Sequence, residues 1–325
     1  MTRTALVTCA SPQARAWAIA VSRLAILTAA ACPPLHAQES RVVVDSAYAP
    51  EVAAPAFPEG GGPRVLLDLA HFNLYTNEGY YRPLRALLKA DGYRVGSSTA
   101  PLSLATLAQA DLVVVANALP APDQVAADTL GPGLSDEEVR ALLAWVAGGG
   151  GLLLLIDHRP YPRAAAPLLE ALGLGFTNGY ALDYRAWDPV VFRRSDGTLP
   201  ASPIADGRGP AERVDSVATF YGDALRADGR GVIPLLRFGP TVDAFLPERQ
   251  WDIGDRTPSV HVAGWLQGAA LTRGRGRVVV LGESGMAAAQ LVGPKRNPQG
   301  MNAPVAAQNS VFLLNAAHWL THVIP

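Results

Sequence analysis

Leu152 to Ile156 carry only aliphatic side chains, and a glycine run, Gly148 to Gly151, sets them off from the segment before them. A run this short and this apolar reads as a strand with both faces covered, the signature of a parallel sheet between layers of helix. The pattern recurs. Val65-Leu66-Leu67-Asp68-Leu69, Tyr93-Arg94-Val95 and Asp111 to Ala116 are further strand candidates, and Val260 to Leu271 with Arg277 to Leu281 predict a hairpin across Arg273-Gly274-Arg275-Gly276. Between the strands the period changes. Leu84, Leu87 and Leu88 give one apolar stripe over Tyr81 to Ala90, and a brief helix is expected over Leu102 to Ala110. Ser135 with Glu138 forms a capping box ahead of the stripe Val139, Leu142, Leu143 and Val146. Helices are also expected over Arg163 to Leu172 and Gln308 to His322. Strands and helices in alternation predict an α/β fold with a mainly parallel sheet.

The first 37 residues stand apart. They hold Arg3, Arg15 and Arg23 and no acid, then the apolar run Leu24 to Cys32 and the small-residue ending Leu35-His36-Ala37. This predicts a secretory signal peptide over residues 1–37, cleaved after Ala37. The apolar run is far short of the roughly 20 residues that span a bilayer. A lipoprotein through Cys32 is the lesser alternative. Both cysteines, Cys9 and Cys32, lie in this segment, so the processed chain has no thiol chemistry and no disulfide. Residues 38–63, rich in Pro, Ala and Glu, are expected to be a flexible leader, and residues 64–325 one domain. Within it, 177–260 carries many Pro, Gly, Asp and Arg residues and reads as an irregular insertion or lid. Net charge is −1, with no basic stripe of the kind nucleic-acid binding requires, and no transmembrane segment is expected.

Open parallel sheets bind ligands outside the carboxyl ends of their strands. Three such ends are polar: Asp68-Leu69-Ala70-His71-Phe72-Asn73 with Tyr75 beyond, Asp157-His158 after the aliphatic run, and Gly282-Glu283-Ser284-Gly285 after Val278 to Leu281. Asp157, His158 and Glu283 are the candidate acid/base residues. Asp68, His71, Asn73, Tyr75, Ser284, Asn302 and Asn309 are candidate ligand contacts, and Tyr80, Tyr161 and Trp187 are aromatic residues expected around them. Ser284 does not read as a triad nucleophile. Met286 replaces the second glycine of the nucleophile elbow, and no Asp or Glu follows residue 284; a helix cap or a ligand hydrogen bond suits it better. His318, on the apolar face of the last helix, reads as a core histidine. No phosphate-binding loop is present.

Asp68-x-x-His71-x-Asn73, Gly149-Gly150-Gly151 leading to Asp157-His158, Asn178-Gly179-Tyr180-Ala181, Ser202-Pro203-Ile204, Gly282-Glu283-Ser284-x-Met286 and Asn309-x-x-Phe312-Leu313-Leu314-Asn315-x-x-His318-Trp319 together resemble a bacterial family of unknown function. That family lies within the class I glutamine amidotransferase-like superfamily. It is similar to the gliding-motility and intraflagellar-transport domains and more loosely to ThuA-like trehalose-utilisation proteins. The resemblance implies a flavodoxin-like, doubly wound sheet. It also implies that Asp157-His158 stand where true amidotransferases carry their catalytic Cys, so glutamine hydrolysis through a thioester is not expected. ThuA-like relatives carry a His near this elbow and are associated with sugars, which makes a small polar ligand, a carbohydrate, the leading expectation. The alternatives are a hydrolase or isomerase using Asp157, His158 and Glu283, with a divalent metal held by His71 and the carboxylates, and a protein-interaction scaffold.

Overall fold

The computed structural model describes residues 42–72, 75–183, 189–227 and 231–325. After β1 (Val42–Val44) the chain lays down β2 (Arg64–Asp68), α1 (Tyr81–Ala90), β3 (Arg94–Ser98), α2 (Leu104–Leu107), β4 (Leu112–Ala116), α3 (Gln124–Leu130), α4 (Asp136–Ala147) and β5 (Gly151–Leu155). Short helices α5 (Tyr161–Ala164) and α6 (Ala166–Ala171) lead to β6 (Leu174–Phe176), β7 (Tyr180–Asp183) and β8 (Val190–Arg193). One helical turn, α7 (Pro203–Asp206), precedes β9 (Ser216–Thr219), β10 (Leu225–Ala227), β11 (Ile233–Arg237), β12 (Val242–Phe245) and β13 (Ser259–His261). The chain closes with β14 (Leu266–Arg273), β15 (Gly276–Leu281), β16 (Ala289–Val292), β17 (Asn297–Gly300) and α8 (Asn309–Leu320).

The main sheet runs β3-β2-β4-β5-β15-β14-β10-β6, with β11 also paired to β14. From β3 to β15 neighbouring strands are parallel; from β14 outward they are antiparallel. Successive strand residues point to opposite faces, and each face has its own core. Val65, Leu67, Val114, Leu153, Leu155, Val279 and Leu281 pack with Leu84, Leu87 and Leu88 of α1 and with Phe312 and Trp319 of α8. Leu66, Val113, Val115, Leu152, Leu154, Val278 and Val280 pack with Val139, Leu142 and Val146 of α4 and with Leu168 and Leu169 of α6. This is the expected α/β, flavodoxin-like doubly wound sheet, mainly parallel and covered on both faces. Both bonds of the capping box at Ser135 and Glu138 are present. Among the described residues no helix is long and apolar enough to cross a membrane.

Three local expectations are corrected. Residues 42–63 are not a flexible leader. β1 pairs antiparallel with β16, the amides of Ala56 and Phe57 donate to Asp91, and Phe57 packs edge-on to Tyr93 at 5.2 Å. The Gly62 amide donates to Gly92 carbonyl at 2.9 Å, an approach open because Gly92, at φ +92°, has no Cβ to meet the Phe57 carbonyl 2.5 Å away. The helix expected over Arg163 to Leu172 is two helices, broken at Ala165 because Pro167 has no N–H to continue the ladder. Residues 177–260, read as an irregular insertion or lid, are long loops punctuated by short strands; among the described residues these strands build a β13-β12-β7 sheet and a β8-β9 ribbon, and they add β10 and β11 to the main sheet. The loop after β15 also holds an unforeseen hairpin, β16-β17.

Candidate functional site

β4, β5 and β15 end side by side, and the segment that follows each carries a polar group into one cluster. Asn117 leaves β4 in a left-handed conformation, φ 51°, tolerated because asparagine is one of the few side chains that visits it readily. Its Nδ2 donates to Ser284 Oγ at 2.9 Å, and Ser284 Oγ donates to Asp157 Oδ2 at 2.5 Å. Asp157 Oδ1 accepts the His158 amide at 2.8 Å, so the carboxylate has a donor on each oxygen. The Tyr75 hydroxyl donates to the Ser284 carbonyl at 2.6 Å, which fixes the turn bearing the hydroxyl. Burial pushes the Tyr75 phenol well up, and the nearby Asp157 charge adds to it.

Glu283 sits below this cluster, 1% exposed. Its carboxyl accepts backbone amides of Met286 (2.8 Å), Gly285 and Phe220. Burial raises its pKa well above the ordinary carboxylate value, Asp157 raises it further, and the backbone amides oppose the rise. A Cβ on Gly285 would collide with Glu283 Oε1, so a larger residue there would displace the carboxyl. Ser284 precedes a single 3-10 turn and makes no capping bond; the hydroxyl goes to Asp157 instead.

His158 faces outward into a set of aromatic rings. It stacks on Tyr180 at 4.5 Å and 17°, meets Trp251 edge-on at 4.5 Å, and has Tyr161 at 5.9 Å. Tyr221 packs on the far side of Trp251 at 5.6 Å. Because the Arg159 carbonyl can only accept, the His158 Nδ1 at 2.8 Å from it carries a proton. Nε2 then faces Asp157 Oδ1 across 3.9 Å, too far for a hydrogen bond and near enough for one hydroxyl to touch both. Trp251, at φ 62°, is 55% exposed and forms the outer lip. The segment leading into β7 and Tyr180 is anchored by Asp223. Asp223 accepts the Thr177 hydroxyl and the amides of Thr177, Asn178 and Gly179, and burial pushes its pKa up to about 6.

Asp157, His158, Glu283, Ser284 and Tyr75 are therefore brought together. Asp68 and His71 form a separate pair directed at α4, described below. With His71 Nδ1 on Asp68 at 2.8 Å and Nε2 on Glu138 at 3.0 Å, both ring nitrogens are engaged and neither is presented to a metal. Among the described residues no group of three His, Cys, Asp or Glu is placed to hold one. Asn302 and Asn309 do not reach the rim. Asn302 Nδ2 donates to Asp45 and to the Gln290 carbonyl, and Asn309 clamps Ala218 of β9 through both its amide atoms. Asn73 and Trp187 lie outside the described residues. His318 is a buried core histidine whose Nε2 pairs with Asp91 at 2.7 Å. Asn117, Tyr180, Tyr221 and Trp251 were not legible as site residues. Asn117 alone had a local signal, a polar side chain directly after the apolar Leu112 to Ala116.

No family model and no curated protein matches the chain. Among solved structures it is similar to the mmIFT52 N-terminal domain, with TM-score 0.56 and 13% identity over 79% of this chain and 97% of that one. It is more distantly similar to a protein described as ThuA-like from Bacteroides uniformis, with TM-score 0.45 and 13% identity over 84% and 94% of the two chains. A protein described as a GMP synthase component from Thermoplasma acidophilum gives TM-score 0.39 and 9% identity over 79% and 94%. At 13% identity the likeness to the first of these is one of fold alone.

Proposed function

We propose that the rim formed by Asp157, His158 and Trp251, with Ser284 buried behind Asp157, binds a small polyhydroxylated ligand of the carbohydrate class. The observation that carries this reading is Trp251, held edge-on to His158 with more than half its surface open to solvent. An amphipathic ring at a lip beside fixed polar groups suits a molecule with an apolar face and hydroxyl edges. One hydroxyl would lie between His158 Nε2 and Asp157 Oδ1 and donate to one of them. The same geometry argues against Ser284 as a nucleophile, because its hydroxyl is bonded to a carboxylate and no imidazole faces it. Glu283 is buried and bonded to the backbone, which weakens the acid/base alternative.

The chain is further proposed to be a thiol-free member of the class I glutamine amidotransferase-like superfamily, exported by the signal in residues 1–37. The support is the Asp157-His158 pair after the aliphatic strand and the basic, then apolar, then small-residue order of that segment. On this reading, protein recovered from outside the cytoplasm has the mass of a chain that starts at Gln38.

A second reading, an interaction scaffold, is favoured by one observation: Asp68 and Glu283 are fully buried and bonded within the protein. Melting temperature read against a panel of sugars and polyols separates the two. Ligand at 100 times its Kd stabilises by about 2.7 kcal/mol. A rise with one class of sugar, lost in Trp251→Ala and in Asp157→Asn, is the expected result. No rise with any compound in a folded protein overturns the binding reading and leaves the scaffold.

A further inference from the structure

A second cluster lies away from the aromatic rim, where β2 ends and α4 begins. His71 follows β2 by three residues, and its ring is nearly buried between two acids carried by different elements. Asp68 Oδ2, at the end of β2, lies 2.8 Å from Nδ1, and Glu138 Oε1, in the first turn of α4, lies 3.0 Å from Nε2. A carboxylate accepts and does not donate, so both contacts are hydrogen bonds only when both ring nitrogens carry protons. Glu138 is itself a junction. Its Oε1 also accepts the Leu102 amide at 3.1 Å, and its Oε2 accepts the Ser135 amide and hydroxyl at 3.0 and 2.8 Å. One imidazolium thus joins the end of a strand, the segment entering α2, and the cap of α4.

We propose that His71 is a pH-operated pin: doubly protonated, it ties the loop after β2 to the first turn of α4, and on losing one proton it releases one of the two carboxylates and loosens the groove between α2 and α4. The groove is open and holds about 1070 Å³, with His71, Leu102, Ser103, Leu104, Glu138 and Ala141 among its walls. Leu104 on one wall and Phe72 beside His71 are both more than half exposed. Neutral imidazole keeps one N–H, so the other nitrogen would turn a lone pair toward a carboxylate at about 3 Å, a repulsion that costs the cluster one of its two bonds. Among the described residues the charged groups facing the ring are Asp68 from β2 and Glu138 from α4; Glu137 and Arg140 of α4 also line the groove. The α2 wall brings Ser103, Leu104 and Ala105, none of which titrates.

Two effects oppose each other at His71. Burial favours the neutral ring, while Asp68 and Glu138 favour the charged one; the acids win, and the ring titrates above its ordinary value of 6.5. A group with a raised folded pKa gives stability that is complete below its unfolded pKa and is lost as pH rises through the folded one. The pin is therefore closed in mildly acidic solution and opens on the alkaline side.

The test is carried out on the full chain. Side-chain NMR of the histidine rings, followed from about pH 5 to about pH 9, reads the His71 midpoint and its protonation directly in wild-type protein. The expected result is a midpoint above 6.5 with both nitrogens protonated below it, and faster exchange of the Leu102 amide above it. His71→Gln and Glu138→Gln are then compared by melting temperature. Wild type should lose about 2–4 °C through the midpoint, and His71→Gln should show no such step. A midpoint at or below 6.5, or a step that persists unchanged in His71→Gln, overturns the proposal. If neither variant folds, the wild-type titration decides alone.

Discussion

Asp157 carries a charge in a nearly closed place, and two donors make that tolerable: Ser284 Oγ at 2.5 Å and the His158 amide at 2.8 Å. A hydrogen bond to a charged group contributes more than a neutral one, and its loss leaves the charge short of a donor. Ser284→Ala should therefore destabilise by roughly 1–3 kcal/mol in urea unfolding, although only one oxygen is removed. An unchanged midpoint would mean that the hydroxyl bond adds nothing. Asp223 makes the complementary case. Its folded pKa of about 6 lies above the ordinary 3.8, so its contribution is full below about pH 4 and is lost as pH rises through about 6. The gap corresponds to a cost on the order of 3 kcal/mol by neutral pH. Asp223→Asn should be less stable at about pH 4 and should show a flatter fall in melting temperature between about pH 4 and about pH 7. A parallel fall in both proteins would remove Asp223 as its source.

Among the elements, the helix starting at Asp136 and the extended stretch before the first sheet strand show what sequence can and cannot announce. Ser135 and Glu138 declare their helix through a spacing of three, and Ser135→Ala should cost about 1 kcal/mol, measured by thermal unfolding. Residues 42–63 declare nothing. Their Pro, Ala and Gly content is that of a linker, and their order comes from partners far along the chain: Asp91, Gly92 and Tyr93, and the strand Ala289–Val292. Amide exchange at Ala56 and Gly62 should be slowed as in the core strands. Exchange at the rate of free peptide would restore the flexible reading. The aromatic rim was hidden for the same reason. Asp157 and His158 stand out because polar residues follow an aliphatic run, whereas Tyr180, although in the Asn178-Gly179-Tyr180-Ala181 motif, and Trp251 lie in distant segments that only the folded chain brings together, with ring centroids 4.8 Å apart. Asn302 and Asn309 had the right chemistry and the right neighbourhood in sequence, and their amides bond mainly to backbone instead.

At the scale of the whole molecule, the doubly covered sheet was the most legible property, since continuous aliphatic strands have no other comfortable place. It makes a specific demand on stability. Leu153 and Leu154 are neighbours in one strand but belong to opposite cores. Truncating either to alanine should cost a similar amount, about 2–5 kcal/mol by denaturant unfolding; a small loss on one side would mean that its helical layer is loosely packed. The antiparallel half of the sheet was less legible because short strands of mixed polarity do not reveal which edge they join.

The pairing of Val42 with Val292 also sets an order of events. A ribosome delivers β1 long before the partner that fixes it, and the loop to be closed runs from Val44 to Gln290. Native pairings of such wide sequence separation form slowly, because the entropy of closing the loop is lost before the contact returns anything. The strands β2 to β5 are neighbours in sequence as well as in the sheet, but β1 stays unpaired until Val292 has been made.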